Sequence, residues 1–165
     1  MKKIIITGPE CSGKTTLCVK IANHFNVSYN TEKARDYLTK INRKYKKSDL
    51  LNIAKKQVFS EKKSTILDTD LITIKIWSEQ KYNYCDKWII KSLEKQKKEE
   101  RFYLLCKPDI PWVYDTLRES PNERDKLFKI YNNVLEELEH EYFIVSGKDR
   151  LDQSILEVSR FFNQL

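Results

Sequence analysis

Lys3-Ile4-Ile5-Ile6-Thr7-Gly8-Pro9-Glu10-Cys11-Ser12-Gly13-Lys14-Thr15-Thr16 joins an apolar run, a loop bracketed by two glycines and the start of a helix. Lys3 to Thr7 reads as a fully buried strand. Lys14 to Phe25 reads as a helix, with Leu17, Ile21 and Phe25 at i, i+4 and i+8. Between them, Gly8 to Thr15 fits G-x-x-x-x-G-K-[ST]. The chemistry demands these residue types. Glycines let the backbone wrap so that successive N–H groups converge on phosphate oxygens, the lysine reaches the β and γ oxygens, and the threonine hydroxyl ligates Mg²⁺. The helix that follows turns its positive end toward the anion. Strand before and helix after are the context such a loop requires. Gly8, Glu10, Cys11, Ser12, Gly13, Lys14, Thr15 and Thr16 are therefore the predicted ATP contacts.

Outward from this loop, short apolar runs alternate with helical patterns, which predicts an α/β domain with a mainly parallel sheet. Further strands are expected at Val27 to Tyr29, Thr65 to Asp68, Phe102 to Cys106 and Tyr142 to Val145. Helices are expected over Thr31 to Tyr45, Ser48 to Lys63, a stretch holding Ile72, Ile76 and Trp77, and Asp149 to Phe162. Ser120-Pro121-Asn122-Glu123 has the pattern of a helix start, with serine as cap, and predicts a helix to about His140. The expected architecture is a three-layer fold with a five-stranded sheet flanked by helices. No linker or repeat divides the chain, so one domain over residues 1–165 is expected.

The chain has 165 residues, 40% of them hydrophobic, enough for one buried core. It has only three glycines, and two of them are spent on the loop. No apolar run approaches the roughly 20 residues of a membrane span, and Ile4 to Ile6 is too short for a signal sequence. A cytoplasmic protein is expected. The net charge of +7 is spread over lysine pairs at helical spacing, the pattern of a solvated face rather than of a nucleic-acid surface. Cys11, Cys18, Cys85 and Cys106 form no C-x-x-C pair, and only His24 and His140 accompany them, which argues for reduced thiols over zinc.

No N-K-x-D tetrad is present to read guanine, and the chain is short for a motor or helicase. Small-molecule kinases remain as the main class, transferring the γ-phosphoryl by positioning and charge neutralisation. Asp68 ends a strand and suits the Mg²⁺ side of the loop; Asp70 is either a helix cap or a partner for a sugar hydroxyl. Glu32 and Arg35 stand at the acceptor mouth, and either Glu32 or Asp68 can serve as base. Arg118 and Arg124 suit a lid that clamps the transferred phosphoryl group. Gly147 is placed at the adenine edge or in a plain turn, and Trp112 either stacks on a heterocyclic base or packs in the core. Trp77 and Trp88 read as packing residues.

The segments GPECSGKTT, TEKARDYL, ILDTDLIT and PDIPWVYDTLR, followed by Arg124, resemble in order and spacing the kinase domain of NadR-type nicotinamide riboside kinases of the P-loop, AAA-domain class. The resemblance covers nearly the whole chain. It implies ATP- and Mg²⁺-dependent phosphorylation of the ribose 5′-hydroxyl of nicotinamide riboside, giving nicotinamide mononucleotide for NAD synthesis. It places Lys14, Glu32, Asp68, Arg118 and Arg124 in catalysis, and Thr15 and Asp68 at the metal. Glu32, Arg35, Asp70, Trp112 and Asp115 fall on the acceptor side. Lys33 and Thr116 depart from the family pattern, which more often has an aromatic residue and a glycine there. A stand-alone kinase is expected, without the adenylyltransferase and DNA-binding domains that family members often carry. Two alternatives stay open: a kinase for another nucleoside or deoxynucleoside, and an ATP-binding regulatory module associated with nucleic acid.

Overall fold

Alternation along β1 (Lys3–Thr7) sends Ile4 and Ile6 to one face of a sheet and Ile5 to the other, and all three are completely buried. Such a strand needs cover on both sides, and a parallel sheet between helical layers supplies it. In the computed structural model, which describes residues 1–119 and 121–164, β1 is the central strand. Around it lie β2 (Tyr29–Asn30), β3 (Ile66–Asp68), β4 (Arg101–Cys106) and β5 (Glu141–Val145), in the order β2-β3-β1-β4-β5. Every pairing is parallel, with Ile6 opposite both Asp68 and Leu104.

The helices are α1 (Lys14–Phe25), α2 (Lys33–Ile41), α3 (Lys47–Glu61), α4 (Leu71–Tyr82), α5 (Lys87–Gln96), α6 (Arg124–Glu137) and α7 (Arg150–Asn163). Ile4, Ile6, Phe102 and Leu104 pack against α1 and α7 through Leu17, Ile21, Val158 and Phe161. On the opposite face, Ile5, Leu67, Tyr103 and Leu105 meet apolar residues of α3, α4, α5 and α6. The chain leaves β1 toward β3 and β2, then returns to β4 on the other side. The loop after β1 therefore lies at the point where strand order reverses, where open α/β sheets form their crevice.

Local chemistry moves some expected boundaries. The second strand is Tyr29–Asn30, beginning two residues later than expected, and α2 stops at Ile41 because Asn42 takes a left-handed conformation (φ 45°). Helix α5, absent from the expected set, is capped by the Asp86 carboxylate, which accepts the Trp88 N–H at 2.8 Å, and it buries Ile89 and Leu93 on one face. The helix expected from Pro121 begins instead at Arg124, and Pro121 and Asn122 form a turn. Its backbone approach is held by the neighbouring loop, where the Glu119 N–H bonds to the Glu10 carboxylate. The Ser120 cap lies outside the described residues.

A buried polar network anchors α4 to the sheet. Arg101 at the start of β4 pairs with Glu61 at 2.8 Å and with Asp70 at 3.3 Å, while Gln96 donates to Glu61 at 3.1 Å. Burial outweighs the arginine and pushes the Glu61 carboxyl up to about 6 from an ordinary value of 4.5. Folded protein thus holds a proton at Glu61 that unfolded chain has released between these pH values, so stability falls as pH rises through the window. Relative to Glu61→Gln, the wild type is expected to lose roughly 1.5 kcal/mol of unfolding free energy between pH 4.5 and 6.5. Urea titrations of both proteins at the two pH values check this; parallel pH dependences would refute it.

Candidate active site

The loop between β1 and α1 has three positive φ angles, at Gly8 (131°), Cys11 (52°) and Gly13 (82°). A side chain at Gly8 would stand 2.6 Å from the Cys106 carbonyl of β4, so only glycine lets the loop leave the sheet there. Ser12 is buried and ties the loop to itself by donating to the Pro9 carbonyl at 2.7 Å, and the Lys14 ammonium donates to the same carbonyl at 2.6 Å. Thr15, one residue into α1, donates its hydroxyl to Asp68 Oδ2 at 2.7 Å. The other Asp68 oxygen is buried with no hydrogen-bond partner among the described residues.

Asp68, Thr69 and Asp70 divide their directions. Thr69 has φ 67°, a strained conformation for a β-branched residue, and its N–H and carbonyl are held by the Ile6 carbonyl and the Gln57 side chain. This twist lets Asp68 face the loop while Asp70 turns beneath the sheet. Asp70 caps α4 through the Ile72 N–H (3.0 Å) and accepts from the Tyr103 hydroxyl (2.7 Å). It is completely buried and does not reach the acceptor side, so the cap is its role and the sugar contact is not.

The loop opens into a cavity of about 850 Å³. Glu32 and Arg35 enter it from the start of α2, and Thr73, Ile76, Trp77 and Gln80 from one face of α4. Tyr45 closes the wall. Its ring meets Trp77 edge-on at 5.0 Å, and its hydroxyl accepts the indole N–H at 2.8 Å and donates to Glu119 at 2.8 Å. Desolvation pushes Glu32 above the ordinary glutamate range against the pull of Lys14, and among the described residues no hydrogen bond holds its carboxylate. Burial likewise raises Asp68, with the Thr15 hydroxyl and Lys14 opposing.

The segment after β4 crosses this cavity. Asp115 forms an ion pair with Arg35 at 2.9 Å, and Glu119 pairs with Lys81 at 2.8 Å. Arg118 lines the cavity and donates to the Val113 carbonyl. Three expectations need correction. Trp112 does not line the cavity; the Arg118 and Arg124 guanidinium groups cover its ring at 5.8 and 5.6 Å, and the aromatic wall is Trp77 with Tyr45 instead. Arg124 donates to the Cys11 and Ile110 carbonyls, both at 3.0 Å, rather than pointing at a phosphoryl position. Asp115 is a tether to Arg35 and not part of the wall. Gly147 (φ 74°) follows β5 and gives both backbone groups to the protein, its N–H to Asp109 and its carbonyl to Arg150. It makes a turn outside the lining of the cavity.

Trp77 and Tyr45 are the site residues that sequence reasoning missed. The signal lay in the spacing of Thr73, Ile76, Trp77 and Gln80, which puts them on one helix face running away from Asp68.

A phosphate-cradling loop after the central strand of a parallel sheet, with a carboxylate bonded to its threonine, defines a P-loop nucleotide-binding fold. Residues 3–150 match the AAA domain family, and the chain belongs to that family. It is 30% identical over 149 residues to the trifunctional NAD biosynthesis/regulator protein NadR of Escherichia coli, a match covering 84% of this chain and 35% of that protein. The chain thus spans about a third of the length of that curated relative. Among solved structures, a NadR protein in complex with NR superposes with a TM-score of 0.80 at 20% identity, over 99% of this chain and 52% of the other. Deoxyadenosine kinase from M. mycoides with bound dCTP gives 0.62 at 13% identity, over 96% and 99%. The fold is that of P-loop kinases. Among the described residues no helix is long and apolar enough to cross a membrane.

Proposed function

We propose that this domain is an ATP-dependent kinase that phosphorylates the ribose 5′-hydroxyl of nicotinamide riboside to nicotinamide mononucleotide, as a single domain over residues 1–165. The observation that carries this reading is one continuous cavity joining the phosphate loop to Glu32 and to the Tyr45–Trp77 wall. Phosphates at one end and an aromatic heterocycle at the other place a ribose hydroxyl between them. The similarity to NadR proteins supports the choice of acceptor.

In this reading the loop amides and Lys14 hold the β and γ phosphates, and Arg118 neutralises charge on the transferring group. Glu32 accepts the proton of the 5′-hydroxyl as that oxygen bonds to the γ-phosphorus. The bond from the γ-phosphorus to the β–γ bridging oxygen breaks, and ADP leaves with that electron pair. The raised pKa of Glu32 brings it closer to the value a base needs at neutral pH. Arg35, which keeps Asp115 close, orients the ribose side. A pyridinium ring is a cation, and the face of Trp77 suits it; the Lys81 ammonium already lies over the Tyr45 ring at 4.0 Å, which leaves Tyr45 as an edge of the wall.

Mg²⁺ fits the residues present. Asp68 is committed to the Thr15 hydroxyl, and its second, unpartnered buried oxygen is the kind of atom a cation or its hydration water satisfies. Thr15 and Asp68 would hold the ion, with phosphate oxygens and water completing its shell. When bound, it would supply charge neutralisation between the β and γ phosphates.

Trp77→Ala is expected to raise the acceptor KM about tenfold while changing the ATP KM less than twofold, the loss of one stacking face. Initial rates with each substrate varied in turn check this, and an unchanged acceptor KM would remove Trp77 from the binding surface. The acceptor itself is tested by incubating the protein with Mg-ATP and equimolar nicotinamide riboside, adenosine, deoxyadenosine and deoxycytidine. Mass spectrometry is expected to find nicotinamide mononucleotide as the main product; a preferred deoxynucleotide would reassign the acceptor.

A further inference from the structure

Two arginines from distant parts of the chain reach consecutive carbonyls of the phosphate loop. Arg124, the first residue of α6, donates to the Cys11 carbonyl at 3.0 Å. Arg150, the first residue of α7, donates to the Ser12 carbonyl at 2.9 Å. A cation at the first turn of a helix opposes the helix dipole, so Arg150 gains nothing from its own helix there. Its position is held from elsewhere: the Asp109 carboxylate takes Nη2, and the Gly147 carbonyl accepts from Nε at 3.2 Å. Asp109 also accepts the Gly147 N–H at 2.7 Å, which locks the β5–α7 turn to the segment after β4. The side chain of Arg150 is 15% exposed.

A trans peptide is planar, and its C=O and the next N–H point in opposite directions. Pulling the Cys11 carbonyl outward therefore aims the Ser12 N–H inward, and pulling the Ser12 carbonyl outward aims the Gly13 N–H inward. Neither amide donates to a protein acceptor among the described residues. Cys11 takes a left-handed conformation that a non-glycine residue rarely adopts, and the grip of Arg124 on its carbonyl helps to keep it there. Gly13 fits the same device, since a Cβ at that position would stand 3.3 Å from Arg150 Nη1.

We propose that Arg150, braced by Asp109, and Arg124 are positioning residues that preset the phosphate-binding amides of Ser12 and Gly13 by holding the carbonyls of Cys11 and Ser12 outward. The inference rests on the reading of this loop as the binding site for nucleotide phosphates. Preset donors bind an anion without first reorienting, so the gain appears in affinity for the phosphate chain and not in contact with the base or the acceptor.

The test measures binding of ATP, inorganic tripolyphosphate and adenosine by calorimetry to wild type, Arg150→Ala, Arg150→Lys, Asp109→Asn and Lys14→Ala. Arg150→Ala is expected to weaken ATP and tripolyphosphate alike by about tenfold, with adenosine unchanged. Lysine at position 150 is expected to recover most of that loss, since it can donate to Ser12 but cannot also engage Asp109 and Gly147. A lower melting temperature with unchanged tripolyphosphate affinity would overturn the inference, as would a loss for ATP but not for tripolyphosphate, which would make Arg150 a base contact. Weakened binding in Lys14→Ala but not in the Arg150 variants would leave the phosphate loop standing and remove only this role. Wild type binding neither ATP nor tripolyphosphate would remove both. If Arg150→Ala does not fold, Asp109→Asn carries the test: about threefold weaker tripolyphosphate binding supports the brace and unchanged binding overturns it.

Discussion

Lys14→Ala is expected to lower turnover on the order of 10³-fold and to leave the fold intact. The lysine stem lies in the first turn of α1, and its ammonium bonds to the Pro9 carbonyl of its own loop; its charge also acts on Glu32 and the buried Asp68, which take up protons more readily without it. Phosphoryl transfer leaves little covalent chemistry to a protein, and most of the barrier is lowered by charges fixed beside the moving group. Removing the one lysine of the loop removes such a charge where it counts most. Acceptor-dependent ADP release and a melting curve on the same preparation check the prediction. Turnover within tenfold of wild type, in a folded variant, would contradict the assignment of this loop.

The second large effect separates Glu32 from Asp68, both of which are carboxylates near Lys14. Asp68 is bonded to Thr15 at 2.7 Å and belongs with the metal, whereas the Glu32 carboxylate faces the cavity with no hydrogen bond among the described residues. Glu32→Gln is expected to lower kcat about 10²- to 10⁴-fold, with ATP affinity changed little. The base must be ionised, and burial holds Glu32 above its ordinary value of 4.5. The acid limb of the kcat/KM profile therefore lies above pH 4.5, with activity rising as pH increases through it, and it disappears in Glu32→Gln. Asp68→Asn is instead expected to raise the Mg²⁺ concentration needed for half-maximal rate. An acid limb that persists in Glu32→Gln and vanishes in Asp68→Asn would exchange the two roles.

Much of this was legible in the sequence where chemistry is local. Strand β1, helix α1 and the loop between them follow from an apolar run, a glycine-bracketed turn and a helical period, and the structure keeps the expected bounds of both elements. The place of Asp68 beside Thr15 follows from its position at the end of a strand that pairs with β1. What the sequence did not disclose depends on contacts across long separations. Asp70 lies two residues from Asp68, yet the left-handed Thr69 sends it under the sheet to Tyr103 and Arg101, 33 and 31 residues away. Trp112 looked like an acceptor platform because its loop follows a strand, but Arg118 and Arg124 occupy its faces. Trp77 looked like packing because nothing local says that the face of α4 starting at Thr73 meets a cavity and not a neighbouring helix.

The central claim is that this cavity couples a nucleotide bound at the phosphate loop to a nucleoside acceptor at the Tyr45–Trp77 wall. Its most direct test is steady-state ADP release from Mg-ATP, with and without nicotinamide riboside, using Lys14→Ala as the blank. The account predicts slow release alone, strong stimulation by nicotinamide riboside and no signal from the variant. No stimulation by this or any other nucleoside, together with salt-sensitive binding to DNA or RNA, would contradict it and point to a regulatory ATP-binding module.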